Sequence, residues 1–490
     1  MLFLGLLLFL EAAIFCALVI LREPKLLIPA VVLGLPIEYF GAQALGVLPE
    51  GGLSGAVRAL LNPGKMAILV TLVVATVRAR HNLGRLFPDS AVLIPIASLL
   101  AVVVLGVAWS DFPTTPENSI LIMPMYVAFV FVAPSLIEDR RDIERIVGAF
   151  LLIAALLAVT AIAQRLFGVF NWRTILIQSD EYSYRSNATF ADPNNLARFF
   201  TIAMSLAAGL ILVNGPRRQT VYLAIPVLAL CALGIVATAS RSGWLILVLA
   251  TFLVVLISPI SRLTKAKIVG SAGSSMAILL TLLLLQGGTD AERVKSLGMG
   301  VQVIGQREFL INAGWHMFKD NPFVGVGSGN YQHSLIVSYL HLVPYWARTT
   351  LSHTSFISLL AELGILGVVA FTMTVVRVGM TVVRTYFGAA VPYNRLISGW
   401  VGVSLFAIVL HSQSEGRLLD EPYLWVLLAI LVAMETSPAL RGLPGTVLQK
   451  GDRVSSPRLA ESASTKPERA PTARAEHGSS GEVAVPPSAT

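Results

Sequence analysis

Three arginines and one histidine lie in polar segments that border long apolar runs. Arg307 begins the amphipathic segment REFLINAGWHMFKD, Arg241 lies in the short turn TASRSGW, and Arg185 lies in EYSYRSNATF. A guanidinium close to a medium of low dielectric constant can hold a diphosphate through bidentate, charge-assisted hydrogen bonds. His353, in SHTSF, begins another apolar run, and an imidazole can take a proton from an attacking hydroxyl near neutral pH. This combination predicts chemistry on a phosphorylated substrate, with cations that hold the phosphates and a base.

Each of these residues also has a purely structural interpretation. An arginine beside a membrane span can extend to lipid headgroups, and a histidine at a helix start can serve as a cap or an interface residue. The segment Asp192-Pro193-Asn194 has the pattern of a helix N-cap followed by proline at the first helical position. Three further polar residues could line the same cavity, although ordinary loop polarity is our preferred interpretation of His411, Glu415 and Arg417.

The sequence contains no pattern typical of a metal or nucleotide site. There is no HExxH motif, no cysteine pair and no tight carboxylate cluster, and Cys16 and Cys231 both fall within apolar runs. The glycine-rich run NPFVGVGSGNY does not lie between a strand and a helix, as a nucleotide-binding loop would. We therefore predict a metal-free mechanism without a cofactor, and a turn that lets the backbone approach the membrane or a ligand closely.

The elements that must position these side chains are membrane spans. Hydrophobic residues make up 55% of the 490 residues, charged residues make up 13%, and the mean hydropathy is +0.74, which excludes an ordinary soluble domain. Many apolar runs reach the roughly 20 residues that a spanning helix needs. We predict an all-α, polytopic membrane helix bundle of about 12–13 transmembrane helices. The expected spans lie near residues 2–20, 27–47, 64–77, 91–109, 119–137, 146–164, 196–213, 221–238, 243–259, 268–286, 354–376, 396–411 and 421–436.

Basic residues predict the orientation of the bundle. Every second connection is rich in Lys and Arg, whereas the intervening WSDFPTTPENS connection contains neither. By the positive-inside rule the basic connections face the cytoplasm, which also accounts for the formal net charge of +8 without nucleic acid. The C-terminus then lies inside and the N-terminus outside, with the first apolar run retained as a span. The basic connections contain Arg22 and Lys25; Arg78, Arg80 and Arg85; Arg140, Arg141 and Arg145; Arg217 and Arg218; Arg262, Lys265 and Lys267; and Arg377, Arg384 and Arg395.

This orientation places the polar segments of interest on the outer face. They are the segment near 165–195, the turn TASRSGW, the large loop 287–352 and HSQSEGRLLDEP. We predict a transmembrane domain over residues 1–436 and, because residues 437–490 are rich in Ser, Pro, Ala and charge, a disordered cytoplasmic tail. The amphipathic REFLINAGWHMFKD is expected to lie flat in the membrane interface, anchored by Phe309, Leu310, Trp315 and Phe318.

Several segments together resemble the O-antigen ligase and polymerase family. They are REF at Arg307, NPFVGVGSGNY at 321–331, HTSF at His353 and AELGILG at 361–367, in this order and spacing. The turn Arg241-Ser242-Gly243 and the segment FADPNN at 190–195 resemble the family as well. The strong part of the resemblance covers residues 180–370, and the remaining spans agree only in number and hydropathy.

The resemblance implies a multi-pass glycosyltransferase of the bacterial inner membrane with a large periplasmic loop. Such enzymes take a glycan from an undecaprenyl diphosphate carrier and transfer it to a hydroxyl of an acceptor glycan. By the same resemblance Arg241 and Arg307, and less closely Arg185, correspond to the arginines that bind the diphosphate, and His353 corresponds to the catalytic histidine. The implied partners are the lipid-linked donor, the acceptor glycan and the bilayer, with a flippase and chain-length regulator proteins as further candidates and no nucleic acid.

The sequence alone is compatible with several functions. We favour a polymerase of O-antigen or exopolysaccharide, because the Asp192-Pro193-Asn194-Asn195 segment resembles exopolysaccharide members. A ligase would instead move finished glycan onto lipid A-core, and a related enzyme would move it onto protein. A small-solute or anion transporter, from another class, would bury ionisable groups near mid-membrane and break helices there. The arginines and the histidine are expected at one face here, which favours surface catalysis.

Overall fold

The computed structural model describes residues 22–37, 62–80, 82–110, 119–170, 185–214, 219–258, 260–286, 305–344, 354–416 and 418–441. Throughout these ranges the regular structure is helical, and they contain no β-strand. The all-α fold class predicted from the apolar runs is therefore confirmed. The expected first span and the tail beyond residue 441 lie outside the described residues.

The helices of the described ranges are numbered in chain order. They are α1 Leu27–Gly34, α2 Pro63–Ala79, α3 Leu93–Gly106, α4 Ser119–Val132, α5 Arg140–Phe167, α6 Pro193–Asn214, α7 Gln219–Ala237, α8 Arg241–Ile257, α9 Arg262–Gln286, α10 Gly305–Asp320, α11 Tyr331–Val337, α12 Ser355–Gly388, α13 Pro392–Glu415, α14 Pro422–Thr436 and α15 Pro438–Arg441. Short 3-10 helices accompany them at Pro24–Leu26, Leu83–Leu86, Val107–Trp109, Ala133–Leu136 and Leu340–Leu342.

These helices follow the predicted spans, with differences at their ends. Within the described ranges α5, α6, α12 and α13 are long and apolar enough to cross a membrane, and six shorter apolar helices accompany them. α5 begins at Arg140 rather than near residue 146, because Asp139 and Asp142 form a capping box that starts the helix in a charged turn. α12 continues to Gly388, well past the expected end near residue 376.

The centre of the bundle is built around α14. This helix is buried on all sides between Tyr423 and Met434, and a helix that is apolar all round belongs inside a bundle. The ring of Phe199 lies 4.8 Å from that of Tyr423, and the indole N–H of Trp400 donates to the carbonyl oxygen of Ile202 at 3.0 Å. These contacts join α6, α13 and α14 into one packed core.

One end of the bundle contains connections between helices that are rich in Lys and Arg. Lys25 pairs with Glu138 at 3.0 Å, and the hydroxyl of Ser437 donates to the backbone carbonyl of Glu138 at 2.9 Å. The hydroxyl of Tyr386 donates to the carbonyl oxygen of Ile257 at 2.6 Å. The guanidinium of Arg140 lies 4.4 Å from the ring centre of Tyr393, which follows α12. The connections before α1, before α5, after α8, after α12 and after α14 therefore meet, and we call this the basic end.

The opposite end collects the segments singled out for chemistry, and we call it the site end. The hydroxyl of Thr189 donates to the carbonyl oxygen of Pro36 at 2.6 Å, and the backbone N–H of Phe356 donates to Gln413 at 3.2 Å. Ser328, in the glycine-rich run, donates to a carbonyl near the end of α3. The connections joined by these contacts thus alternate between the two ends, as the charge pattern requires; which end faces the cytoplasm stays a prediction.

Candidate functional site

Arg185 and the turn that carries Arg241 lie together at the site end. The Nε of Arg185 donates to the carbonyl oxygen of Thr238 at 3.1 Å, and Nη2 donates to the side-chain oxygen of Asn194 at 2.7 Å. The backbone N–H of the next residue, Ser186, donates to the carbonyl oxygen at the end of α7 at 3.0 Å. Two of the three predicted diphosphate arginines are thus brought to one turn, although they are 56 residues apart in the sequence.

Local geometry explains why the turn presents Arg241 as it does. Ala239 has a φ of +50°, which reverses the chain after α7, and Ser240 caps α8 by accepting the N–H of Gly243 at 3.2 Å. A Cβ at Gly243 would lie 2.6 Å from that of Ala197, so only glycine lets α8 begin this close to α6. Arg241 is the first residue of α8, where the helix dipole adds to its own positive charge. This point of the surface favours an anion.

A chain of buried polar side chains lies directly behind the turn. Arg198 on α6 is only 2% exposed and forms an ion pair with Glu421 at 2.5 Å. Its Nη2 lies 3.5 Å from Nδ1 of His411, whose Nε2 lies 3.5 Å from the hydroxyl of Ser242, the residue after Arg241. We call Glu421, Arg198, His411 and Ser242 the buried relay. It connects the start of α14 with the start of α8 through α6 and α13.

Two of these residues differ from the sequence interpretation. His411 is wholly buried, so its interpretation as ordinary loop polarity was wrong; it faces a neighbouring helix instead of water. Arg198 was not among the candidates, although a lone arginine inside the apolar segment NNLARFFTIAMSL is the kind of intramembrane charge that marks a functional site. The side chain of Glu415 and the whole of Arg417 lie outside the described residues.

Arg307 lies near the start of α10, and α10 is held by its apolar face. Leu310 is 1% exposed and packs in a cluster with Met317, Tyr331 and others, so its expected role as a membrane anchor was wrong. The hydroxyl of Tyr331 donates to the carbonyl oxygen of Leu310 at 2.5 Å, which fixes α10 against α11. Trp315, by contrast, is 46% exposed, as an interfacial anchor requires.

The position of α10 relative to α12 places Arg307 at the site end. A Cβ at Gly314 would lie 2.4 Å from the side chain of Ile357, so α10 passes the first turn of α12 closely at this point. Farther along, the carbonyl of Pro322 accepts the N–H of Ile365 at 2.9 Å, so the two segments run in the same direction. Arg307, about 10 Å upstream of Gly314 along the helix, therefore lies beyond the start of α12. His353, just upstream of α12, lies outside the described residues.

The glycine-rich run docks onto an interruption within α12. Gly364 has φ +58° and ψ −154°, which breaks the helical hydrogen-bond pattern. The glycine-rich run supplies new partners for the carbonyl groups that the interruption leaves free. The N–H of Val326 donates to the carbonyl oxygen of Ala361 at 2.9 Å, and the N–H of Gly327 donates to the backbone carbonyl oxygen of Glu362 at 3.0 Å. A Cβ at Gly325 would lie 2.3 Å from the backbone of Glu362. The predicted close backbone approach therefore exists, but its target is α12 rather than the membrane or a ligand.

A pocket opens between the glycine-rich run, the first turns of α12 and the connection before α14. Its lining combines hydroxyl and carboxyl groups with an apolar floor. Among the residues that the structure describes, no group of three or more His, Cys, Asp or Glu side chains is arranged to hold a metal ion. The polar lining residues are Ser328, Gly329, Ser355, Ser358, Glu362 and Asp420.

Comparison with known proteins bears on the part of the chain that contains these features. Residues 226–372 match a family model described as O-antigen ligase. No curated protein matches the chain. The matched residues include Arg241, Arg307, His353 and the glycine-rich run, whereas most of the buried relay lies outside them. The match implies glycosyltransferase activity of the O-antigen ligase and polymerase type, in a membrane that holds a lipid-linked glycan. The resemblance of this chain to the O-antigen ligase and polymerase family is therefore confirmed over residues 226–372.

Proposed function

We propose that this protein is a metal-independent glycosyltransferase of the bacterial inner membrane, with its active site facing the periplasm and its C-terminus in the cytoplasm. It transfers glycan from an undecaprenyl diphosphate carrier to a hydroxyl of an acceptor glycan. The observation that carries this proposal is the meeting of Arg185 with the turn of Arg241, at the end of an apolar bundle opposite the basic connections. Arg307 lies at the same end, and we propose that the three guanidinium groups converge on one diphosphate.

The proposed chemistry follows from these charges. An oxygen of the acceptor forms a bond to the anomeric carbon of the donor sugar, and the bond from that carbon to the diphosphate breaks. Arg185, Arg241 and Arg307 stabilise the negative charge that the departing undecaprenyl diphosphate gains, and they do so in a poorly hydrated site. His353 takes the proton of the attacking hydroxyl. The apolar flanks of the bundle accommodate the polyprenyl tail.

Within this class we favour a polysaccharide polymerase that makes O-antigen or exopolysaccharide. The segment that resembles exopolysaccharide members has a defined role, because Asp192 accepts the N–H of Asn194 at 2.7 Å and so begins α6. The side chain of Asn194 in turn accepts a hydrogen bond from Arg185. This segment therefore holds an arginine that we propose binds the diphosphate. Transfer onto lipid A-core, as in a ligase, is the alternative within the family.

A transporter is the alternative from another functional class, and two features of this bundle are also typical of transporters. The ion pair of Arg198 and Glu421 is buried, and α12 is interrupted at Gly364. Arg198 lies in the second turn of α6, however, and Glu421 precedes α14, so the pair lies near the site end rather than at mid-membrane. The interruption in α12 is closed by the glycine-rich run instead of facing a channel. The family match also favours the transferase.

One experiment separates these functions. The purified protein in lipid nanodiscs is incubated with the lipid-linked repeat units of its source bacterium, with and without lipid A-core, and the products are sized. A ladder of increasing length supports the polymerase, and a single transfer that requires lipid A-core supports the ligase. Absence of any glycan product, together with solute uptake by proteoliposomes, would contradict the proposal and support a transporter.

A further inference from the structure

The pocket beside the glycine-rich run is distinct in charge from the arginine site. We call it the serine–carboxylate pocket, defined by Ser328, Ser355, Ser358, Glu362 and Asp420. None of the described residues that line it is Lys, Arg or His. Among these described lining residues a diphosphate would meet two carboxyl groups and no cation, which disfavours it as the ligand. The pocket therefore favours a ligand of different chemistry.

The first turns of α12 form one wall of this pocket. Ser355, Ser358 and Glu362 are spaced i, i+3 and i+7, so their side chains lie on one face of the helix. The same helix is apolar over most of its remaining length. Asp420 faces this wall from the connection before α14, and Ser328 completes the rim. Three separate segments thus contribute polar residues to the lining of one space.

Glu362 has a structural role that leaves part of its hydrogen-bonding capacity free. Its two carboxylate oxygens accept the backbone N–H groups of Gly329 at 3.0 Å and Tyr331 at 3.2 Å. These two bonds hold the glycine-rich run against α12 and fix the orientation of the carboxylate. A carboxylate has about four lone-pair positions, so it can accept further bonds from a ligand in the pocket.

Ser355 supplies an independent indication of a ligand. The residue is only 6% exposed, and its hydroxyl has no hydrogen-bond partner within the described part of the chain. Leaving a buried hydroxyl without a partner costs on the order of 1–3 kcal/mol, so such groups normally have a function or a bound partner. Because Ser355 lines the pocket, a ligand there can satisfy it.

We propose that the serine–carboxylate pocket binds the sugar of the acceptor glycan, an inference that rests on the proposed glycosyltransferase function. Sugar hydroxyls donate to the carboxylates of Glu362 and Asp420 and exchange hydrogen bonds with Ser355. The two carboxyl groups favour a sugar that is neutral or carries an amino group over a uronic acid. Ser355 lies two residues after His353, so a sugar held here presents a neighbouring hydroxyl near the proposed base.

The test uses a soluble acceptor so that acceptor and donor affinity can be measured separately. The wild-type protein in nanodiscs receives the lipid-linked donor and the benzyl glycoside of a neutral repeat unit, and transfer is followed by mass spectrometry. Asp420→Asn and Ser355→Ala should each raise the KM for the benzyl glycoside, Asp420→Asn by about tenfold, with the donor KM unchanged. Glu435→Gln, a carboxyl change at the basic end, is the matched control and should alter neither constant.

The outcomes distinguish the pocket from the overall function. If the wild-type protein transfers glycan but both variants keep the wild-type acceptor KM, or raise the donor KM instead, the assignment of the pocket is overturned. If the wild-type protein makes no product, the proposed function fails, and saturation-transfer NMR then tests the pocket directly. Saturation of the benzyl glycoside's sugar protons in the wild type, but not in Asp420→Asn, supports a sugar site; no saturation in the wild type overturns it. If Asp420→Asn does not fold, the acceptor KM of Ser355→Ala alone decides whether the pocket binds the acceptor.

Discussion

The carboxylate of Glu421 lies 2.5 Å from the guanidinium of Arg198 in the interior of the bundle, and the two residues are 223 positions apart in the sequence. A buried charge pair of this kind contributes little net stability, because removing both ions from water costs nearly as much as their attraction returns. Its position is more informative than its energy. Through His411 and Ser242, the pair reaches the turn that presents Arg241, so we expect it to position the proposed diphosphate site.

Breaking this pair on one side only should be far more damaging than replacing both partners. We expect Arg198→Met to lower the free energy of unfolding by about 3–5 kcal/mol, because Glu421 is left as an uncompensated buried charge. The double variant Arg198→Met/Glu421→Gln should recover most of that loss, because Gln can still accept the N–H of Tyr423 at the start of α14. Thermal unfolding in detergent measures both effects.

A positioning role also predicts a kinetic result for the double variant. It should fold but show a raised KM for the lipid-linked donor, because Ser242 and Arg241 lose their support. A donor KM equal to that of the wild type, in a stable double variant, would reduce the buried relay to a purely structural feature.

The cationic site can be tested on α10 with a control from the same helix. Arg307→Ala should lower transfer by roughly a hundredfold or more, because one charged contact to the developing diphosphate is lost. Lys319→Ala, at the exposed C-terminal end of α10, removes an equal charge and should leave transfer unchanged. The measurement is glycan transfer in nanodiscs, with surface polysaccharide in cells as a second readout. Equal effects of the two substitutions would indicate a general electrostatic role instead.

The catalytic assignment of His353 gives a separate prediction. His353→Ala should abolish glycan transfer while insertion into the membrane and binding of the lipid-linked donor persist, since a base is needed only for the attacking hydroxyl. Donor binding is measured directly with the purified variant. Retention of full transfer by this variant would show that another group takes the proton.

Much of this architecture could be read from the sequence, for a simple physical reason. Apolar run length predicts spans, and alternating basic connections predict two chemically different ends, because both patterns are local and both are imposed by the bilayer. The N-cap at Asp192 was predictable for the same reason, since a cap involves only neighbouring residues. The turn at Arg241 was visible as a polar interruption between two apolar runs.

What the sequence did not reveal depends on contacts between distant spans. A span that is apolar on all sides carries no periodicity to show which face meets which neighbour, so the partner of Arg198 could not be deduced. The same holds for the glycine-rich run, whose glycines were explained by close approach but whose partner, α12, was not identified. The serine–carboxylate pocket was missed, although Ser355, Ser358 and Glu362 form a polar stripe on one face of an otherwise apolar helix that could have indicated it.

The interruption in α12 predicts opposite effects for two glycine substitutions in one helix. Gly364→Ala should destabilise the protein by more than about 1–3 kcal/mol, because φ +58° with ψ −154° is essentially restricted to glycine and a Cβ would lie 2.5 Å from the backbone of Phe323. Gly379→Ala should stabilise it by about 0.5–1 kcal/mol, because that position is helical and a Cβ would meet nothing within 4 Å. Thermal unfolding of the two variants in the same detergent tests this. A stable Gly364→Ala variant would contradict the docking of the glycine-rich run.

The capping box at the basic end predicts how stability depends on pH. Burial raises the pKa of Asp139, but the backbone N–H of Asp142 and the charge of Lys25 outweigh it, so the pKa lies below its ordinary value. A carboxyl whose pKa is lowered by folding contributes stability above its unfolded pKa of about 3.9, and this contribution is lost as the pH falls through the folded pKa. Asp139→Asn keeps a capping oxygen but removes the charge. We therefore expect the variant to melt slightly below the wild type at pH 7, with the difference disappearing below about pH 4 and shrinking in high salt, since Asp139 is half exposed. A difference that grew as the pH fell would mean that the charge of Asp139 opposes folding.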